Sequence, residues 1–333
     1  MKVYLYSGMQ KMIEKSGVGR AIYHQQFAAK QNKIGLAKGL EDAEIVHINT
    51  VFPKSLWLAM KAKKKGIPVI YHAHSTREDF RNSYIGSNLF APIFGKWIKH
   101  CYNTGTMIVT PTEYSKRLLL SYGINKQIEA VSNGVDLVFY DKKNIDPMSF
   151  RKKYGYSAEQ KVIMSVGLTI DRKGVSDFVE LARRMPEYQF IWFGESNLNT
   201  VPMKTRRAVR TKLPNLRFAG YAKPRALRDA YGSCDLFLFP SKEETEGIVV
   251  LEALAMKIPV LLRKIPVYDD WLQENRDVYK ADNIDDFESK TKKIVEQECM
   301  DLTEAGYQVV EERSIEKVGM RLGDIYKNCL ENI

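Results

Sequence analysis

Short apolar runs alternate with helix-period segments along nearly the whole chain. Runs rich in β-branched, aromatic and aliphatic residues predict strands at 2–6, 44–48, 68–72, 107–110, 129–132, 161–166, 189–193, 216–219, 236–239 and 258–262. Between them, apolar residues three and four apart predict helices, most clearly at 20–30, 53–65, 112–122, 175–184 and 248–256. Strand–helix–strand punctuation of this kind marks a parallel sheet covered by helices. It comes in two sets. A polar stretch at 141–149, containing Pro147, separates them. The pattern therefore predicts an α/β protein of two domains, 1–145 and 146–333, with the final helix free to pack back on the first. Two doubly wound domains that face each other hold ligands in the cleft at their strand C-ends.

Composition narrows the class. With 333 residues, 44% of them hydrophobic, each domain has enough for a core. Cys101, Cys234, Cys299 and Cys329 are far apart and form no Cys-x-x-Cys or Cys/His group. That spacing argues against structural zinc and against a disulfide framework, and fits a reducing compartment. The opening MKVYLYSG reads as a strand rather than a signal peptide. No apolar run reaches the roughly 18 residues of a membrane span. The expectation is a cytoplasmic protein.

Charge adds a partner. The formal net charge is +11, and residues 1–150, with 21 Lys/Arg against 11 Asp/Glu, carry +10 of it. Between residues 50 and 105, nine basic side chains, among them Lys63, Lys64, Lys65, Arg77, Lys96 and Lys99, face only Glu78 and Asp79. Such a patch attracts nucleic acid or anionic lipid. Residues 88–103 set Leu89, Phe90, Ile93, Phe94, Trp97, Ile98 and Cys101 at helical spacing, with Lys96, Lys99 and His100 opposite; residues 55–66, with Trp57, repeat the bias. Each segment is either an interfacial amphipathic helix or an ordinary core-facing one. No helix-turn-helix, zinc or RNP signature supports nucleic acid. The reading is an anionic membrane surface.

The densest chemistry follows the run at 236–239. Pro240 and Ser241 lead into Glu243, Glu244, Glu246 and Gly247, then into an apolar helix with one internal acid, Glu252. A helix apolar all round is normally buried, and a buried carboxylate is costly unless hydrogen-bonded. The amides of Glu246, Gly247 and Ile248 at the helix start suit a phosphate. Flanked by two carboxylates that can grip hydroxyls, they suit a nucleotide-sugar. The plainer alternative assigns these acids to the helix cap and dipole, and Glu252 to an internal ion pair.

Other strand-end loops are also loaded. The turn at 15–20 (KSGVGR) is a phosphate approach or a plain turn. Residues 72–79 gather His72, His74, Arg77, Glu78 and Asp79, a polar pocket without enough further ligands to assign a metal. The turn at 168–174 carries Arg172 and Lys173, suited to a diphosphate or simply solvated.

Taken in order, Ser16-Gly17, His74, Ser132-Asn-Gly-Val-Asp136, Arg172-Lys173-Gly174 and Glu244-x7-Glu252 resemble the retaining glycosyltransferases of the group 1 family, which have GT-B architecture. The resemblance spans the chain. More narrowly, residues 16–25 (SGVGRAIYHQ), 243–255 (EETEGIVVLEALA) and 263–272 (RKIPVYDDWL) are similar to Gram-positive enzymes that add a second sugar to a monoglycosyl-diacylglycerol.

The resemblance implies two Rossmann-like domains and a set of roles. Gly17 would offer its backbone N–H to the donor diphosphate, and Arg172 and Lys173 would neutralise the leaving phosphate. Glu244 would hold sugar hydroxyls and Glu252 the ribose; His74 would sit near the reacting face, and Tyr221 would meet the uracil. It implies a UDP-sugar donor, no metal cofactor, a glycolipid acceptor and peripheral attachment to the inner membrane face. The product would be a glycolipid or lipoteichoic-acid anchor, with glucose or galactose transferred. A soluble or polyprenyl-linked acceptor for cell-wall polysaccharide is the same-class alternative; a non-catalytic nucleotide-sugar or nucleic-acid binder is the different-class one. The chain departs from the family pattern at Leu168, often Arg in relatives, at Thr245-Glu246 and at Lys257, and its short 32–42 region implies that a strand present in relatives is abbreviated or absent.

Overall fold

A computed structural model describes residues 1–9, 13 and 16–331. Its strands, β1 to β12 in chain order, form two six-stranded sheets. The first has the order β2-β1-β3-β4-β5-β6, from Lys2–Tyr6 (β1), Gly35–Leu36 (β2), Ile45–Ile48 (β3), Val69–His72 (β4), Met107–Thr110 (β5) and Ile128–Ala130 (β6). The second has the order β12-β11-β10-β7-β8-β9. Its strands are Val162–Val166 (β7), Gln189–Phe193 (β8), Leu216–Gly220 (β9), Leu236–Phe239 (β10), Val260–Arg263 (β11) and Tyr279–Ala281 (β12). Neighbours within each sheet run parallel, as β1 with β3 and β7 with β10. Strands β3, β4, β5 and β10 are buried at every residue. Burial on both faces is why they read as unbroken apolar runs rather than alternating ones.

The chain divides into two compact units. The first takes Met1–Phe80, Leu89–Asp136 and Arg313–Ile333; the second takes Arg81–Asn88 and Leu137–Glu312. Residues 137–145 thus belong with the second sheet, while the helix Ile315–Glu331 belongs with the first. That helix contributes Val318, Leu322, Ile325, Tyr326 and Cys329 to a core with Val3, Ile45, Ile70, Met107 and Val109. It lies against the helix Gly17–Gln31, where a Cβ on Gly319 would come 2.1 Å from Asn32 Nδ2. In the second unit Phe178, Phe190, Trp192, Leu236 and Phe287 are fully buried in one cluster.

The two amphipathic segments of the first unit form helices at Pro53–Lys64 and Ser87–Thr104. Their faces differ from the sequence reading. Trp57 does not join the apolar side: it is exposed beside Met60, with Lys61 Nζ 5.3 Å from its ring centre, while Leu56, Leu58 and Ala59 are buried. The stripe of the longer helix splits. Ile98 and Cys101 enter the core, whereas Leu89, Phe90 and Ile93 face solvent. Phe94 and Trp97 are half-buried, Phe94 stacked on Phe80 and Trp97 donating to the Val51 carbonyl at 2.6 Å.

Candidate active site

At the C-terminal edge of the second sheet, the loop after β7 meets the loop after β10. Gly174 has φ +75°, and a Cβ there would lie 2.1 Å from the Pro240 carbonyl oxygen, so only glycine permits the approach. The contact brings Arg172 and Lys173 to the acidic loop. Lys173 Nζ is paired with Glu244 Oε1, which also accepts from Ser241 Oγ at 2.6 Å. Arg172 lies 4.0 Å from the same oxygen and donates to the Glu243 carbonyl at 2.8 Å and to Ser83 Oγ at 3.1 Å. Burial pushes the Glu244 carboxyl up, but Lys173 and then Arg172 outweigh it and hold the group below the usual carboxylate range. Glu244 is therefore an anion fixed between cations and a hydroxyl.

Gly247, at φ +88°, leads into the helix Ile248–Ala255. Glu246 and Glu252 are both buried. Tyr231 donates its hydroxyl to Glu252 Oε2 at 3.1 Å; burial, then Glu252 itself, pushes the phenol well up, so it remains a donor. Among the described residues the buried hydroxyl of Tyr268 has no hydrogen-bond partner, and it lies 3.2 Å from where a Cβ on Gly247 would stand. The second sheet thus gathers Arg172, Lys173, Glu244, Glu246, Gly247, Ile248 and Glu252 at adjoining loop and helix ends. Tyr221 lies exposed just beyond β9. Ser241, Tyr231 and Tyr268 have no sequence signature and emerge only from the fold.

The first unit holds a second polar cluster, around His74. Its Nε2 is 2.8 Å from Asn49 Oδ1, which also accepts from Gln25 Nε2 at 2.8 Å. Gln25 Nε2 lies 2.9 Å from His72 Nδ1, His72 Nδ1 lies 3.2 Å from His47 Nε2, and His47 Nδ1 lies 2.6 Å from the Tyr326 hydroxyl. Asn49 Oδ1 is an acceptor, so His74 donates to it from Nε2; His72 Nδ1 has a single lone pair, which Gln25 Nε2 and His47 Nε2 compete to fill. Burial pushes His47 and His74 down to about 3, so both rings are neutral. A neutral His74 with its proton on Nε2 has Nδ1 left as an acceptor. Gly17 starts its helix one residue after the cap Ser16, whose Oγ accepts from Gly19 N–H at 3.4 Å; Lys15 lies outside the described residues.

The remaining candidates are arranged differently. Arg77 pairs with Glu78 at 2.8 Å and lies over the Tyr122 ring, Tyr122 bonds Glu78, and Asp79 accepts from Thr76 N–H. Arg77 and Glu78 thus close on each other and on Tyr122, and Asp79 on Thr76, all within the first unit. Lys63, Lys64 and Lys96 are exposed, Lys99 is partly covered, and Lys65 pairs with Glu41 at 2.6 Å. Among the described residues no three His, Cys, Asp or Glu side chains gather as metal ligands.

Residues 148–309 match the model for glycosyl transferases group 1, and residues 19–139 match glycosyltransferase family 4. The chain is 40% identical over 333 residues to the processive diacylglycerol alpha-glucosyltransferase of Acholeplasma laidlawii, covering 99% of each. It is 25% identical to the alpha-galactosylglucosyldiacylglycerol synthase of Streptococcus pneumoniae, over 83% of this chain and 75% of the relative. Among solved structures, Anabaena HepE with UDP and glucose superposes with a TM-score of 0.76 at 13% identity, covering 98% of this chain and 99% of that one. Sucrose-phosphate synthase from Thermosynechococcus elongatus gives 0.73 at 15% identity, over 97% and 80%. At these identities the two superpositions establish the fold alone, which is GT-B.

Proposed function

Because the chain belongs to the group 1 glycosyltransferases, and within them to the glycosyl-diacylglycerol glycosyltransferases, we propose that it transfers glucose or galactose from a UDP-sugar, with retention, to a monoglycosyl-diacylglycerol. The observation that carries the reading is the buried Arg172–Lys173–Glu244 cluster, set beside a helix whose internal Glu252 is held by Tyr231. In this reading Arg172 and Lys173 take the charge of the departing diphosphate, which is where stabilisation lowers the barrier of a glycosyl transfer. Glu244, held anionic, accepts from donor-sugar hydroxyls, and Glu252 from the ribose. Gly17 N–H and the start of the helix Ile248–Ala255 approach the phosphates, and Tyr221 the base. His74 Nδ1 accepts from a sugar hydroxyl near the reacting carbon. Front-face attack by the acceptor hydroxyl keeps the anomeric configuration, and no metal is required because two side-chain cations supply the charge.

The acceptor is a membrane lipid, so the protein works at the inner bilayer face. The exposed Trp57, Met60, Lys61 and Lys64 of one helix and Leu89, Phe90 and Ile93 of the next support attachment through the first unit. Among the described residues no helix is long and apolar enough to cross a membrane. A second acceptor, diacylglycerol itself, is favoured by the full-length likeness to a processive diacylglycerol enzyme.

The test is a labelled assay that crosses UDP-glucose and UDP-galactose with diacylglycerol and monoglucosyl-diacylglycerol in anionic micelles. Lipid-linked hexose should appear from one donor, and absence of product from all four pairs would refute the reading. Glu252→Ala should weaken UDP binding in calorimetry, whereas Glu244→Ala should leave UDP bound and lose turnover.

A further inference from the structure

Positive charge in the second half of the chain is not spread evenly. Between Glu195 and Asp229 the sequence holds nine Lys/Arg and no Asp/Glu. The rest of residues 151–333 holds 21 basic against 29 acidic side chains, a net of −8. The centre of this block is the helix Met203–Arg210. Met203, Lys204, Arg207 and Arg210, at i, i+1, i+4 and i+7, share its exposed face, while Thr205 is buried. Several other helix cations of the unit are paired: Arg184 with Asp285, Lys290 with Glu274, Lys292 with Glu288. Among the described residues no ion pair engages Lys204, Arg207, Arg210 or Lys212.

Apolar side chains stand next to these cations. Ile85 N–H donates to the Thr200 carbonyl at 2.9 Å, which fixes the 82–88 loop against the approach to the helix. Tyr84, Ile85, Pro202, Met203 and Lys204 line one open cavity of about 510 Å³. Tyr84, Ile85 and Met203 are 40%, 62% and 56% exposed. A solvated basic face gains nothing from protruding apolar groups. A bilayer interface takes both, with cations at the phosphates and apolar groups just beneath them.

We infer that the helix Met203–Arg210 and the 82–88 loop form a second membrane contact, on the second unit, which binds the phosphates of anionic lipids through Lys204, Arg207 and Arg210 and seats Tyr84, Ile85 and Met203 among the headgroups. It deepens the membrane-acceptor reading and rests on it. The contact gives the donor-binding unit its own hold on the surface, separate from the lysines of the first unit.

The test uses the full chain and vesicles of phosphatidylglycerol or of phosphatidylcholine at one ionic strength. Lys204→Gln/Arg207→Gln/Arg210→Gln should lower partition into phosphatidylglycerol vesicles about ten- to a hundredfold, since each cation near an anionic surface counts for roughly fivefold. Lys152→Gln/Lys153→Gln/Lys293→Gln, with the same loss of charge elsewhere on the unit, should lower it far less. Tyr84→Ser/Ile85→Ser should make the remaining binding fully reversible by salt. Unchanged UDP affinity verifies that each variant is folded. Equal partition of the two triple variants overturns the inference while leaving the membrane reading intact. A triple variant that loses binding to an RNA homopolymer but keeps its vesicle binding overturns it too. Wild-type protein that binds UDP but no phosphatidylglycerol vesicle refutes the membrane reading, and this inference with it.

Discussion

Lys173 and Glu244 are bonded to each other, so each of two groups proposed to act on the donor is oriented by the other. Lys173→Ala removes the proposed phosphate contact and also the largest of the attractions that hold the Glu244 carboxyl down. Loss of one charge-assisted contact to a leaving group costs about 2–4 kcal/mol of barrier. We expect kcat/KM to fall by that factor, and a near wild-type value would reduce this loop to a turn. Asn49 offers a subtler case. Its Oδ1 receives the Nε2 proton of His74, so Asn49→Ala removes the acceptor that fixes the ring's tautomer. A lost hydrogen bond of about 1–1.5 kcal/mol predicts roughly tenfold slower turnover with UDP affinity unchanged. Loss of UDP binding would show that Asn49 serves the fold instead.

Among elements, ten strands stand where apolar runs predict them, most plainly the central ones, where burial on both faces leaves a run too long to miss. The other two are edge strands of two and three residues. In β12 the middle residue is Lys280, buried with Nζ 3.2 Å from Asp269, and a lysine breaks the apolar signal. The acidic half of the site was legible for the opposite reason: an acid inside an apolar helix has to be explained. Its partners were not legible. Tyr231 lies 21 positions from Glu252, and Tyr326 lies 279 positions from His47, so only the folded chain pairs them. Trp57 was read on the same side as the other apolar residues of its helix, but the fold turns it away from buried Leu56 and Ala59 toward solvent, a division of faces that periodicity alone does not show. The loop–loop contact at Gly174 yields its own prediction. Gly174→Ala adds a Cβ in a left-handed conformation against backbone, which should cost about 2–4 kcal/mol. Tm and UDP affinity should fall together, and an unchanged Tm would mean that the loops part without consequence.

For the molecule as a whole, four buried histidines in the first unit tie stability to pH. Burial is the main cause that pushes His24, His47 and His74 down to about 3 and His72 well below its usual value. The unfolded chain protonates these rings near pH 6.5, while the folded one leaves His24, His47 and His74 neutral until about 3 and keeps His72 neutral well below 6.5. Stability is therefore complete above pH 6.5 and is lost as the pH falls toward 3. Glu244, with its carboxyl held low, adds to the loss at the acid end. Each histidine contributes roughly 1.4 kcal/mol per pH unit below its unfolded value. Calorimetry should show Tm level at pH 7.5 and dropping as the pH falls from about 6.5 to 5, and a flat profile across that window would contradict the buried neutral cluster.

The helix Ile315–Glu331 closes the core of the first sheet, yet it follows the whole of the second unit in the chain. Order of synthesis and order of completion are therefore reversed. While the ribosome makes residues 137–312, Val3, Ile45, Ile70, Met107 and Val109 wait without the side chains that cover them. Every residue of the second unit has been made by Glu312, so that unit can reach its final packing as one body. The half that starts first finishes last, and its uncovered face is the part of the nascent chain that a chaperone would have to shield.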